Sequence, residues 1–172
     1  MPKKYWEELD ELYLQIYDEA SEDLKREYER VFRDLETLVL GLLVDYEYRL
    51  FMGTNIPNNI YQFNKYYEML EEVRNRLNEL ARTEEVIIDK SLTEMYKDTN
   101  KIVSNDIGVS TKITDQQVQQ AISTAWLQDG LRFSDRVWKN KDSMLQILKK
   151  GIADITITGI SRQRVTELLM KT

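Results

Sequence analysis

Apolar residues recur at three- and four-residue steps along most of the chain, the spacing that lays one stripe down an α-helix. Trp6, Leu9, Leu12/Tyr13 and Ile16/Tyr17 form the first stripe, backed by Glu7, Glu8, Glu11 and Asp18. Ser21, followed by Glu22 and Asp23, has the form of a helix start, a capping hydroxyl with acids where the helix dipole favours them. A second ladder, Leu24, Tyr28, Val31/Phe32, Leu35, Leu38/Val39, Leu42/Leu43, Tyr46 and Leu50, then predicts a helix of about eight turns ending at Gly53.

The segment GTNIPNN, Gly53 to Asn59, gathers turn formers and a proline, and the chain is expected to reverse there. A third ladder, Phe63, Tyr66/Tyr67, Leu70, Val73, Leu77 and Leu80, has the alternating steps of a coiled-coil seam. The strict repeat fails at Glu84 and resumes at Ile88, Leu92, Met95 and Ile102, which predicts one long helix with a perturbed middle. SNDIGVSTK, Ser104 to Lys112, has no period and reads as a linker. Thr114 with Gln117 forms a capping box opening a helix through Val118, Ile122 and Ala125 towards Trp126. Further starts are expected at Ser134 and at Asp142 or Ser143, with Gly159 and Ser161 separating the last two helices. ITIT, Ile155 to Thr158, is assigned to a helix continuing from Met144, Leu145, Leu148 and Ile152. The predicted class is all-α: long antiparallel helices in an elongated arm or bundle over residues 1–106, then a smaller cluster of short helices over residues 107–172.

Charge gives those two parts different characters. Met1 to Asn100 holds 13 Lys+Arg against 23 Asp+Glu, a balance of -10, and Lys101 to Thr172 holds 11 against 7, a balance of +4. An acidic front repels nucleic acid, whereas a basic rear suits an acidic protein surface or a phosphate backbone. Cysteine and histidine are absent, which excludes disulfides, Cys/His zinc sites, thiol nucleophiles and an imidazole base. Neighbouring carboxylates such as Glu71/Glu72 and Glu84/Glu85 diverge by about 100° around a helix and do not converge on a substrate. No Gly-rich phosphate loop or nucleophile elbow is present, so neither an enzyme nor a cofactor is expected. The apolar run Leu38 to Val44 is far too short to span a membrane, and no signal-peptide core is seen at the N-terminus. Most of the tyrosines fall on the ladders and are expected at the rims of helix interfaces, ring inside and hydroxyl wet.

One stretch departs from this plainness. WLQDGLRFSDRVW, Trp126 to Trp138, places two of the three tryptophans around a glycine and two arginines. Gly130 suits a positive φ and Ser134 a cap, so the two are expected to bracket a tight corner. Phe133, just before the cap, is placed to pack back on Val137 or Trp138, with Trp126 and Trp138 closing the corner from either side. Arg132 and Arg136 lie one turn apart, able to brace acids or face outward. Together with Lys139, Lys141, Lys149, Lys150, Arg162 and Arg164, they form the candidate contact set for DNA or another partner.

The pattern Trp126, Gly130, Phe133, Ser134, Arg136 and Trp138, followed by Leu145, Leu148 and Gly159-Ile160-Ser161, resembles the signature of bacteriophage minor head proteins, the Mu F-like head morphogenesis family of tailed phages. Tyr5-Trp6 ahead of a long helical region is similar to that family's start. Such proteins continue into a further C-terminal portion with an Arg-Thr-Glu segment. The Arg82-Thr83-Glu84 of this chain precedes the corner instead, so the resemblance implies an N-terminal portion or a short member. It also implies a non-enzymatic virion component inside the capsid, made in the host bacterial cytoplasm and acting in head assembly, DNA packaging or ejection. The implied partners are the portal, other head proteins and double-stranded DNA, with no membrane; a homo-oligomer is left open. Two alternatives stand beside it: the front module of a larger phage-derived toxin, and a cellular helical adaptor built on the Phe63 to Leu80 seam.

Overall fold

A computed structural model describes residues 3–51, 58–109, 112–125 and 128–158. These form four helices, α1 (Lys3–Phe51), α2 (Asn58–Ile107), α3 (Asp115–Ile122) and α4 (Phe133–Thr158), with no strand among the described residues. The fold is all-α, two long antiparallel helices followed by shorter ones. The expected reversal at GTNIPNN lies outside the described residues apart from Asn58 and Asn59, which begin α2.

The helix start expected at Ser21 is not one, because α1 runs unbroken across it. No glycine or proline occurs between Lys3 and Leu40 to end the first helix. A serine inside a helix costs well under 1 kcal/mol, so the capping triplet alone cannot stop it. The same holds at α4, which passes through Asp142 and Ser143 as one helix of 26 residues where two short helices are expected. There the Ser143 hydroxyl donates to the Lys139 carbonyl at 3.0 Å and bonds its own helix instead of capping a new one. Ile155 to Thr158 belong to α4, as read from the sequence.

The expected linker at Ser104 to Lys112 begins later than its composition suggests. α2 continues to Ile107 and is closed by Gly108, whose φ of 66° is the left-handed conformation of a helix-terminating glycine. Val109 N donates to the Ser104 carbonyl at 3.1 Å and Gly108 N to the Asn105 carbonyl at 3.4 Å, the paired bonds of a Schellman ending. α3 opens on the capping box read from the sequence, with the Thr114 hydroxyl receiving Gln117 N and the Gln117 side chain receiving Thr114 N. It ends at Ile122, with Ser123 as its C-cap, and so does not reach Trp126.

The chain divides into two compact units, neither of which is a continuous piece of sequence. Unit 1 combines residues 1–27 with 82–137, and unit 2 combines residues 28–81 with 138–172, so the boundary expected at 106/107 falls inside unit 1. Unit 2 has a continuous core. Val31, Leu35 and Val39 of α1, Met69, Leu70, Val73, Leu77 and Leu80 of α2, and Met144, Leu148 and Ile152 of α4 are all buried in one cluster. Tyr28, Phe32, Leu38, Tyr66 and Leu145 pack against it. The Phe63 to Leu80 seam therefore serves as an internal interface from Tyr66 onwards, the Phe63 side chain lying outside the described residues.

Unit 1 is thinner. Leu9, Ile16, Val118, Ile122 and Val137 are its buried apolar residues among those described. Ile88, Leu92, Met95 and Ile102, where the ladder resumes, are only half-buried, and no apolar residue of α2 from Arg82 to Ile107 is buried. Polar contacts fill part of the gap: the hydroxyls of Tyr13 and Thr99 meet at 3.0 Å, and Lys97 pairs with Asp115 at 2.7 Å.

Candidate functional site

Of the stretch WLQDGLRFSDRVW, residues 128–138 are described, and the contacts there differ from those expected. Gly130 has a φ of 69°, as its sequence context predicts, within a turn and not at the end of the preceding helix. Asp129 organises that turn. Its Oδ1 accepts the backbone N–H of Leu131 at 3.1 Å and the Arg136 guanidinium at 2.5 Å, tying the turn to the first full turn of α4. One carboxylate thus fixes both sides of the glycine.

The residue that closes the helix start is Asp135, not Ser134. α4 begins at Phe133, and Asp135 Oδ2 reaches back to accept Arg132 N at 3.0 Å. Arg136 N donates to the Arg132 carbonyl at 3.3 Å, so Arg132 occupies the cap position and Asp135 the third helical position. The carboxylate makes a charge-assisted bond to that N–H and also meets the positive end of the helix. Ser134 and Phe133 lie within the helix and are half-buried; Phe133 is therefore not the residue preceding a cap. Val137, one of the two partners expected for Phe133, is buried.

Trp138 is half-buried in unit 2. Lys141, one turn on, holds its Nζ 5.1 Å from the centroid of the Trp138 ring, donates to Asn78 Oδ1 of α2 at 3.3 Å and pairs with Asp142 at 2.7 Å. Its side chain is only 14% exposed, so this cation is turned towards the protein. Trp126, Gly159, Ser161, Arg162 and Arg164 lie outside the described residues.

The candidate contact set is split by this geometry. Arg136 is engaged by Asp129, and Lys141 by Asn78, Asp142 and Trp138. Arg132, Lys139, Lys149 and Lys150 are exposed. At 100° per residue, Lys139 and Lys150 share the face opposite Met144, Leu148 and Ile152, whereas Lys149 lies on a flank. Asp135 and Asp142, both exposed, interrupt the row.

Folding also redistributes charge. Unit 1 holds 11 Lys+Arg against 18 Asp+Glu, a balance of -7, and unit 2 holds 13 against 12, a balance of +1. The basic tail is therefore grouped with acidic helix segments such as Glu68 to Glu79, where Arg76 already reaches Asp34 at 3.8 Å and Glu72 at 3.1 Å. Asp115 is held below the usual carboxylate range by the hydrogen bond from Lys97 and by its charge. Burial, with Tyr67 alongside, pushes the Tyr66 hydroxyl up.

Among the described residues, no group of three or more carboxylates is arranged to hold a metal ion, and no helix is long and apolar enough to cross a membrane. Asp129, Asp135 and Asn78 are the residues that sequence reasoning missed. The Asp-Gly pair at 129–130 is a turn signal that pointed to the first of them. Compared with protein-family models, curated proteins and solved structures, the chain matches none.

Proposed function

We propose that the chain is a non-enzymatic structural protein of a tailed-phage head, a minor component attached near the portal inside the capsid and acting in head assembly, DNA packaging or ejection. The observation that carries this reading is the motif Trp126, Gly130, Phe133, Ser134, Arg136 and Trp138, which resembles the minor head signature. Its described part is a corner clamped by Asp129 and Asp135, and a fixed corner is what an assembly joint requires: its side chains meet a partner without first being ordered. The partner we favour is the portal. DNA is the weaker assignment, because the exposed cations of α4 are few and alternate with Asp135 and Asp142.

The direct test is co-purification of the full chain with the portal protein of a tailed phage that encodes the chain. Retention of the portal, and its loss when Gly130→Val distorts the corner in a chain that keeps its helical circular dichroism, is the expected result. A folded chain that retains no portal at all refutes the proposal.

A further inference from the structure

On α1, unit 1 carries large apolar side chains that are more than half exposed. Trp6 is 57% exposed, Leu14 62% and Tyr17 67%. At 100° per residue they fall within about 80° of one another, Trp6 and Tyr17 about 60–100° from the buried line of Leu9 and Ile16 and Leu14 farther round, about 140–160° from it. A single exposed leucine is ordinary; three large side chains within twelve residues on one flank mark an interaction surface. The Tyr13 to Thr99 bond sets the register of α1 against α2 in this unit. Ile107, near the end of α2 in the same unit, is 54% exposed as well.

The charge around the patch selects its occupant. Asp10 lies between Trp6 and Leu14, and Glu7, Glu11 and Asp18 run along the outer edge; all are exposed, in a unit with a balance of -7. A second copy laid on the same flank would set these acids against their own kind, a repulsive arrangement. A nucleic acid is repelled for the same reason. We propose that this flank docks a basic amphipathic helix of another protein, with apolar residues at i, i+3/i+4 and i+7 set on Trp6, Leu14 and Tyr17 and with Lys or Arg facing Asp10, Glu11 and Asp18. This surface is independent of the corner on α4 and of the portal assignment.

The test uses the full chain and three labelled 18-residue peptides: Leu and Lys in helical amphipathic order, the same residues scrambled, and the ordered peptide with Glu for Lys. Fluorescence anisotropy should show binding of the ordered basic peptide that weakens as salt rises. The scrambled peptide should bind at least tenfold more weakly and the acidic one not at all. Leu14→Asn with Tyr17→Asn, both at exposed positions, should weaken binding at least tenfold, while Ile147→Asn on the exposed face of α4 leaves it unchanged. Equal binding of ordered and scrambled peptides, or full binding by the double variant, overturns the proposal. So does sedimentation showing that the chain self-associates and that Leu14→Asn with Tyr17→Asn abolishes it, since the occupant is then a second copy.

Discussion

Gly130→Ala isolates the backbone requirement of the corner. A Cβ built at Gly130 meets nothing within 4 Å, so the substitution creates no clash, and its whole cost comes from the φ of 69°. Holding an L-residue in that region costs roughly 1–2 kcal/mol, and the stiffer unfolded chain of alanine returns about 0.4–1 kcal/mol. The expected net loss is about 1 kcal/mol, or roughly 2–4 °C in Tm for a chain of this length. Asparagine tolerates the left-handed region, so Gly130→Asn should recover at least half of the loss. Urea titration followed by circular dichroism measures both variants, with the slope expected to stay constant while the midpoint moves. If Gly130→Ala is neutral, or if Asn is as damaging as Ala, the turn does not depend on a left-handed residue and the account of the corner fails.

Three further outcomes follow from other parts of the molecule. Leu77→Ala, at a position with no exposure in the unit 2 core, should cost about 2–5 kcal/mol in chemical denaturation, while Leu14→Ala should stay within roughly 0.5 kcal/mol. Asp115 is held below its ordinary value of 3.8 by Lys97, so the stability this pair contributes is present above that pH and is lost as pH falls through the folded-state value. Lys97→Met should raise the Asp115 pKa in an NMR titration, and an unmoved pKa refutes the pairing. If DNA is bound through Arg132, Lys139, Lys149 and Lys150, the slope of log affinity against log salt should be about -3 to -4. Lys139→Glu with Lys150→Glu should then flatten it; a flat response in the unaltered protein removes the contact.

The long helices were legible because each ladder pairs a periodic apolar face with a charged back. Leu35, Val39, Val73, Leu77 and Leu80 are buried where the spacing places them. Helix ends were less legible, because Ser21, Ser134 and Ser143 carry the same side chain whether they start a helix or sit inside one. What decides is the absence of a breaker at Ser21, the bond from Arg132 N to the Asp135 carboxylate that starts α4 one residue ahead of Ser134, and the i−4 carbonyl that Ser143 finds at Lys139. The tyrosines followed expectation only in part. Tyr28 and Tyr66 pack on the core, but Tyr17 and Tyr67 are mostly exposed, since a position on the edge of a stripe does not say whether a neighbour covers it. The two units were not legible at all, because each joins segments far apart in sequence. Pairings such as Lys141 with Asn78 have no local signal.

In α2 the last buried apolar side chain is Ala81, although the helix continues to Ile107. Amide hydrogens from Tyr66 to Ala81 lie against a packed core, and those after it rely largely on the helix's own ladder, half-buried side chains and a few polar contacts. Deuterium should therefore enter the second half of this one helix well before the first, and limited proteolysis should begin there. A single unbroken element would then carry both a slow-exchanging anchor and a fast-exchanging limb, leaving the latter free to be remodelled by whatever it meets while the former stays intact.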